Sequence, residues 1–195
     1  MDISQLDRKT HEEVLITVLL ATHNGEKFLA QQIDSIIEQT HKSWRLIISD
    51  DDSSDNTCDI INTYAKKHSD KIEIINKQNG HTGACGNFFF LLQHAVARNS
   101  DYIMFCDQDD VWFANKIELT LYEMKKHEKE HNADSPLLVF SDLQVTDDQM
   151  NLIDSSFLRY SKLSGKRAAL NYLLIQNVVT GCTVMINHSL AKYSG

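Results

Sequence analysis

The sequence predicts an α/β domain with a mostly parallel central sheet and helices on both faces. Short apolar segments alternate along the chain with segments whose apolar residues recur at helical spacing. Strands that alternate with helices usually lie parallel, because each helix carries the chain back across the sheet. A length of 195 residues allows one such domain with a sizeable core, and no repeat or low-complexity linker divides it.

Six short, largely apolar segments are predicted to be strands, and the first two are rich in Val, Ile and Leu, which is typical of buried strands. The predicted strands are Val14–Ala21, Trp44–Ser49, Lys71–Ile75, Tyr102–Cys106, Leu137–Phe140 and Val178–Ile186.

Four stripes of apolar residues at spacings of three and four predict the intervening helices. Asp55 lies where an N-cap is expected for the second helix. From Leu143 to Gly165 the periodicity fades, which predicts an irregular stretch. The stripes comprise Leu29, Ile33, Ile36 and Ile37; Thr57, Ile60, Ile61, Tyr64 and Ala65; Phe88, Leu91, Leu92, Ala95 and Val96; and, in a helix starting near Ala114, Ile117, Leu121 and Met124.

Composition excludes several classes of protein. The net charge is −8 and no basic stripe is present, so binding to nucleic acid is not expected. The apolar run Val14–Ala21 is far too short for a membrane span, and the acidic residues before it are untypical of a signal peptide. The four cysteines are widely spaced without a CxxC pair, which argues against a zinc site or a disulfide framework and favours a reducing, cytoplasmic location.

Polar residues collect after three of the predicted strands. The clusters are Thr22–Gly25, Asp50–Asp55 and Asp107–Asp110. In an open parallel sheet the carboxyl ends of the strands share one edge, where ligands bind in a crevice. The sequence therefore predicts that residues far apart in the chain converge on one pocket.

The cluster Asp107–Asp110 contains three carboxylates in four residues, which repel one another unless a cation lies between them. Oxygen ligands of this kind suit Mg²⁺ or Mn²⁺. A solvated acidic turn is the alternative. The apolar residues on both sides of the cluster favour the metal site.

The other two polar segments leave alternatives open. The run Asp50–Asp55 fails the spacing of an EF-hand loop. Asp55 fits a helix N-terminus, whereas Asp50, Asp51 and Asp52 remain available to accept a hydrogen bond from a ligand N–H. The glycine-rich segment 79–87 lacks the GxGxxG spacing of dinucleotide-binding folds, so it is either a flexible loop or a backbone approach to a diphosphate.

With these residues in view, the chain resembles a family 2 glycosyltransferase with the GT-A fold. The resemblance covers roughly residues 14 to 190 and rests on four motifs. They are Val18–Asn24, Gln39-Thr40 with Trp44–Asp55, the strand ending in the DxD-like Asp-Gln-Asp-Asp at 107–110, and Asn177–Asn187 with its Val-Thr-Gly-Cys. The segment Asp-Gln-Asp-Asp-Val-Trp is similar to that of rhamnosyltransferase-type members.

The resemblance implies roles for the clustered residues. Asp51 matches the carboxylate that pairs with uracil or thymine, and Ala21 and His23 match the turn that lines the base pocket. Asp109 and Asp107 match the ligands of Mn²⁺ or Mg²⁺, and Asp107 and Gln108 lie where the family contacts ribose, phosphate or metal-bound water.

The chain also departs from the family pattern. His23 stands where Tyr is usual, and Asp52 stands where Gly is usual. The family's catalytic base follows the strand predicted at Val178–Ile186, and no such motif precedes Gly195, so the catalytic residue stays unassigned. The expectation is therefore a single nucleotide-sugar-binding GT-A domain over residues 1–195, truncated at its C-terminus, with residues 1–13 poorly ordered.

The implied function is metal-dependent, inverting transfer of a sugar from a UDP- or dTDP-sugar, rhamnose being one candidate, to a glycan or lipid-linked acceptor in surface polysaccharide synthesis. A cytoplasmic location at the inner face of the membrane, with peripheral membrane association, accompanies this expectation. Self-association is also expected if Val178–Ile186 is left poorly covered. A nucleotidyltransferase and a non-catalytic fragment that binds a sugar nucleotide are the alternatives.

Overall fold

The computed structural model describes residues 14–77, 80–132, 134–163 and 178–193. Residues 1–13, for which poor order was expected, lie outside the described residues. The strands are β1 (Ile16–Thr22), β2 (Trp44–Asp50), β3 (Ile72–Ile74), β4 (Tyr102–Cys106), β5 (Leu138–Phe140), β6 (Val145–Thr146), β7 (Leu152–Asp154) and β8 (Val184–Asn187). The helices are α1 (Leu29–Ile37), α2 (Thr57–Lys67), α3 (Gly83–Ala97), α4 (Lys116–Glu130), α5 (Phe157–Tyr160) and α6 (His188–Lys192), and a 3₁₀ turn spans Gly181–Thr183.

Six strands form the central sheet in the order β3-β2-β1-β4-β8-β5. The pairs β3-β2, β2-β1 and β1-β4 are parallel, as the alternation of strands and helices predicted. Strand β8 is inserted antiparallel between β4 and β5. The prediction of a mostly parallel sheet is confirmed, and the direction of β8 adds an exception to it.

Helices cover both faces of the sheet. The side chains of β1 alternate between the two faces, and each face has its own apolar cluster. Ile16, Val18 and Leu20 are fully buried and pack with residues of α1, α2 and α4 on one face. Leu19 is fully buried on the opposite face, where it packs with residues of α3 such as Leu91. This three-layer arrangement fixes the strand ends that carry the polar clusters.

Two predicted segments differ from the structure. The strand expected at Val178–Ile186 is shorter, since Gly181–Thr183 forms a 3₁₀ turn and β8 begins only at Val184. The irregular stretch from Leu143 to Gly165 contains the two-stranded sheet β6-β7 and the short helix α5, and residues 164–165 lie outside the described part. Short strands of mixed polarity carry too little periodicity to be recognised in a sequence.

Self-association was expected if the apolar side chains of Val178–Ile186 were poorly covered. In the described residues most of these side chains are buried. Val178, Val184 and Ile186 are each at most 5% exposed, and Met185 is fully buried. Strand β8 lies between two other strands, so its apolar side chains are covered within the chain. Among the described residues, no helix is both long and apolar enough to cross a membrane.

Candidate nucleotide-sugar site

The three polar clusters converge at the carboxyl ends of β1, β2 and β4, as their positions in the sequence predicted. They line a cleft of about 250 Å³ together with the N-terminal part of α3. The cleft is lined by all six residues to which the family resemblance gives a binding role: Ala21, His23, Asp51, Asp107, Gln108 and Asp109. The structure thus brings together side chains from three separate parts of the chain.

The loops after β1 and β2 are joined by hydrogen bonds, which explains several of the acidic residues. Thr22 Oγ1 donates to Asp50 Oδ1 at 2.7 Å, and the backbone N–H of Asn24 donates to Ser53 Oγ at 2.8 Å. Burial favours a raised pKa for Asp50, but the hydrogen bonds, those from Ser53 foremost, outweigh it and lower the pKa. Asp50 therefore has a structural role in holding the two loops together.

Asp55 and Asp52 also have local explanations. The N-cap of α2 is Asn56, one residue after the predicted Asp55. Asp55 Oδ1 nevertheless accepts the backbone N–H of Thr57 at 3.0 Å, so its carboxylate provides an acceptor for a free N–H of the first turn, as an N-cap side chain does. Asp52 is exposed and has a φ of +69°. A left-handed φ favours glycine, which accounts for the glycine that the family motif has at this position.

Asp51 differs from its neighbours because it is buried, at 1% exposure. Its Oδ1 pairs with the Lys77 ammonium and accepts the Thr82 backbone N–H at 2.9 Å. Its Oδ2 accepts the Gly83 backbone N–H at 2.7 Å and lies 2.9 Å from His81 Nδ1. Thr82 Oγ1 also donates to Oδ1 at 3.2 Å, and His81 Nδ1 also lies 3.0 Å from the Asp51 backbone oxygen, so both carboxylate oxygens have partners within the chain.

The surroundings of Asp51 stabilise its charged form. Burial alone would raise the pKa of this carboxyl, but the hydrogen bonds from Lys77, Thr82 and Gly83 outweigh burial and lower the pKa to about 2. The glycine-rich segment therefore wraps around a carboxylate, and its Gly83 has a φ of +72° at the start of α3.

The loop after β4 is attached to the loop after β1 by one side chain. Gln108 Oε1 accepts the backbone N–H of His23 at 2.8 Å, and Gln108 Nε2 donates to the backbone oxygen of His23 at 3.0 Å. Gln108 thus sets the distance between Asp107–Asp110, called the acidic turn below, and the loop after β1. The His23 ring in turn lies beside that of His81, with 4.8 Å between ring centroids.

We expect Gly25→Ala to break this attachment. A Cβ at position 25 would lie 2.4 Å from Gln108 Oε1, so the glutamine side chain must move and lose both hydrogen bonds with His23. Two partly exposed hydrogen bonds correspond to about 1–2 kcal/mol in the free energy of unfolding, measurable by urea denaturation.

Gly181→Ala is the matched control, because a Cβ there meets nothing within 4 Å. Adding Gln108→Ala to Gly25→Ala should cost little more than either change alone, since both remove the same contacts. Fully additive losses would show that the clash with Gln108 is not the cause.

The acidic turn itself has an exposed member and two partly buried members. Asp109 is exposed and lines the cleft. Burial, followed by repulsion from Asp110 and Asp109, raises the pKa of Asp107. Burial also raises the pKa of Asp110, whose Oδ2 atom is inaccessible and has no hydrogen-bond partner among the described residues. A bound cation would give the buried Asp110 oxygen a partner and would offset the repulsion between the carboxylates.

Other residues of the site were not predicted from the sequence. Lys77 lies in a segment without a motif, and its ion pair with Asp51 has no signal in the spacing. Asn87 is 1% exposed and lines the cleft, with its Nδ2 donating to the Ser49 backbone oxygen at 2.7 Å. Its position four residues before Leu91, on the apolar stripe of α3, was the available signal for a buried polar role.

Comparison with known proteins connects this geometry to a family. The family model described as glycosyl transferase family 2 matches residues 17–194. The dTDP-rhamnosyl transferase RfbG of Shigella flexneri is 40% identical over 99 residues, which cover 51% of this chain and 34% of the relative. The UDP-Glc:alpha-D-GlcNAc-diphosphoundecaprenol beta-1,3-glucosyltransferase WfgD of Escherichia coli is 31% identical over 116 residues, 60% of this chain and 43% of the relative. The chain thus spans less than half the length of these curated relatives.

Solved structures support the fold. The crystal structure of S. aureus TarS 1–349 matches with a TM-score of 0.56 at 16% identity, covering 92% of this chain and 49% of TarS. The same protein in complex with UDP matches with a TM-score of 0.54 at 19% identity, covering 69% of this chain and 37% of TarS. The predicted GT-A-type fold is confirmed by these matches.

Proposed function

Because this chain belongs to glycosyl transferase family 2, we propose that it is the donor-binding part of a metal-dependent, inverting glycosyltransferase. The donor is a UDP- or dTDP-sugar, and the sugar passes to a glycan or lipid-linked acceptor in surface polysaccharide synthesis. Rhamnose is a candidate for the sugar, since the Shigella relative is named a dTDP-rhamnosyl transferase. The observation that carries the proposal is the convergence of Asp51, Asp107 and Asp109 on one cleft.

The acidic turn suits a divalent cation, and Asp107 and Asp109 are the residues that would hold Mn²⁺ or Mg²⁺. When bound, such an ion neutralises charge that develops on the leaving diphosphate. Asp109 is exposed and lines the cleft, so its carboxylate is accessible to a cation and a diphosphate that arrive from solvent. Gln108 holds the turn against the His23 backbone, so the carboxylates keep a fixed position relative to the base-binding end of the cleft.

At the other end of the cleft, Asp51 is proposed to accept the N3–H of uracil or thymine, with Ala21 and His23 lining the base pocket. Both carboxylate oxygens of Asp51 have partners within the chain, so the base must replace one of its present partners. His81 is the partner that yields most readily, because its side chain is 56% exposed whereas that of Lys77 is 7% exposed.

The acceptor side is assigned only in outline. The Escherichia coli relative is named for a diphosphoundecaprenol-linked acceptor, which supports a lipid-linked acceptor and a place at the inner face of the membrane for this protein too. Asp142, which lies two residues after β5, accepts hydrogen bonds from Ser156 Oγ at 2.5 Å and from the Leu143 backbone N–H at 2.8 Å. These bonds give it a structural role, so the general base that activates the acceptor hydroxyl stays unassigned.

The selectivity between UDP and CDP tests the proposed base contact. Cytosine has a bare acceptor at N3, which a carboxylate repels, so the unaltered chain should bind UDP more tightly than CDP. Asp51→Asn should reduce or reverse this preference, because an amide can donate to cytosine N3. Loss of the charge-assisted bond to uracil corresponds to about 1.5–3 kcal/mol.

Isothermal calorimetry with UDP, dTDP, CDP and GDP gives the four affinities. Any general damage to the loop weakens all of them together, so the ratio of UDP to CDP affinity isolates the base contact. His81→Ala should keep or improve UDP affinity. A ratio unchanged by Asp51→Asn, or a preference for GDP in the unaltered chain, would exclude Asp51 as the pyrimidine-reading residue. Detection of a glycoside product, as opposed to pyrophosphate release or binding alone, separates a glycosyltransferase from the two alternative classes.

A further inference from the structure

A buried cysteine lies next to two of the carboxylates of the acidic turn. Ligand atoms of Asp107, Asp110 and Cys182 all lie within 4.8 Å of one another. Cys182 is 4% exposed and belongs to the 3₁₀ turn that precedes β8. The cluster therefore combines two carboxylates and a thiol from distant parts of the sequence.

The topology explains why these residues meet. Strand β8 runs antiparallel to β4, with Met104 opposite Met185 and Tyr102 opposite Asn187. Continuing this register along β4 brings the turn before β8 to the carboxyl end of β4, with Cys182 beside Asp107. The inserted antiparallel strand thus delivers a sulfur atom to the edge where the parallel strands end.

The Cys182 thiol is hydrogen-bonded to the carboxylates of Asp107 and Asp110. The Oδ2 atom of Asp110 is buried and has no hydrogen-bond partner among the described residues. Lys116 is the cation nearby, and its ammonium lies over the Trp112 ring, 5.0 Å from the centroid. A buried oxygen without a partner, beside a second carboxylate and a thiol, is a set of donors that suits a divalent cation with some affinity for sulfur.

We propose that Cys182 is a sulfur ligand of the divalent cation held by Asp107, with Asp110 as a further oxygen ligand. The proposal rests on the metal site of the proposed function and adds the kind of cation to it. A thiolate ligand raises the affinity of a site for Co²⁺ and Zn²⁺ relative to Mg²⁺ and Mn²⁺, which prefer oxygen ligands. When the sulfur–metal bond forms, the thiol proton is released to solvent, and no change of oxidation state is involved.

Titration of the 195-residue chain with Co²⁺ tests the proposal directly, because thiolate coordination to cobalt produces a charge-transfer absorption in the near ultraviolet. The band should appear in the unaltered chain and disappear in Cys182→Ser. It should persist in Cys58→Ser and Cys85→Ser, which remove exposed thiols, and in Cys106→Ser, whose sulfur accepts a hydrogen bond from Gln32 Nε2 at 2.7 Å. The surface group of His127, Glu130 and His131 contains no sulfur, so cobalt bound there cannot produce the band.

Calorimetry with Co²⁺ and Mg²⁺ supplies a second readout. Cys182→Ser should weaken Co²⁺ binding by about tenfold or more and change Mg²⁺ binding much less. Cobalt that binds the unaltered chain without the band, or a band that survives Cys182→Ser, would overturn the role of Cys182 and leave the metal site standing. Failure of every divalent cation to bind, with or without UDP, would overturn both that role and the metal dependence. The band in the unaltered chain is measured without any substitution, so its absence there would overturn the role of Cys182 however well the variants fold.

Discussion

Asp109→Asn is expected to weaken the binding of UDP or dTDP in the presence of Mn²⁺ by about tenfold to a hundredfold, a range typical for disruption of a metal site. Asp109 is exposed and lines the cleft beside Asp107, whose pKa is raised by burial first and then by repulsion from Asp110 and Asp109. The substitution removes one charge that attracts the cation. In EDTA the same substitution should strengthen nucleotide binding slightly or leave it unchanged, because one charge that repels the diphosphate is gone.

Asp101→Asn is the matched control for this experiment. Asp101 is exposed and lies just before β4, at the opposite end of the strand from the acidic turn. The two substitutions change the net charge equally. If Asp101→Asn weakened binding as much as Asp109→Asn does, the effect would be one of overall charge and would not come from a cation ligand.

Asp51→Ala is expected to reduce the free energy of unfolding by about 3–5 kcal/mol, which is typical for removal of one partner from a buried ion pair. The Lys77 side chain is only 7% exposed, so its ammonium would be left buried without its counter-charge. The backbone N–H groups of Thr82 and Gly83 would also lose their acceptor. Urea denaturation followed by circular dichroism measures this loss.

Two companion variants isolate the cause. Asp59→Ala removes an exposed carboxylate in the first turn of α2 and should cost less than about 1 kcal/mol. Combining Asp51→Ala with Lys77→Met removes both buried charges and should recover part of the lost stability. If the double variant were less stable than Asp51→Ala by the full cost of Lys77→Met alone, the two side chains would not be coupled.

The pH dependence of stability provides a check without mutation. The pKa of Asp51 is about 2 in the folded chain, against 3.8 as its ordinary value. The contribution of this group is therefore fully present above pH 3.8 and is lost as the pH falls through 2. Between pH 4 and pH 2 the unaltered chain should lose more stability than Asp51→Ala does. Parallel curves for the two proteins would contradict this assignment.

The convergence of the polar clusters on one cleft could be predicted from the sequence because polar residues follow strongly apolar strands. Asp51 directly follows β2, and Asp107 directly follows β4. The parallel topology then brings both residues to one edge of the sheet. By contrast, the apolar run before Asn187 indicates a strand but not its direction, so the antiparallel insertion of β8 was not visible. The position of Cys182 beside Asp107 depends on that direction, and for this reason spacing alone gave no hint of it.

The partners of Asp51 show a second limit of the sequence. A carboxylate that follows a strand is available, on sequence grounds, either to a ligand or to the chain itself. The structure shows that Lys77 and the backbone of the glycine-rich segment already bind it. Such contacts depend on a loop conformation with a positive φ at Gly83, which no periodicity encodes. The proposed reading of a pyrimidine therefore includes displacement of His81, which the sequence did not suggest.

The central claim is that this cleft binds a pyrimidine nucleoside diphosphate through a divalent cation, and calorimetry of the unaltered chain tests it most directly. UDP and dTDP are titrated in Mn²⁺ and again in EDTA at matched ionic strength. We expect binding in Mn²⁺ to be at least about tenfold tighter than in EDTA, since three carboxylates would otherwise repel the diphosphate. Equal affinities in Mn²⁺ and EDTA would contradict the role of the acidic turn, and no binding of either nucleotide in Mn²⁺ would contradict the donor site itself.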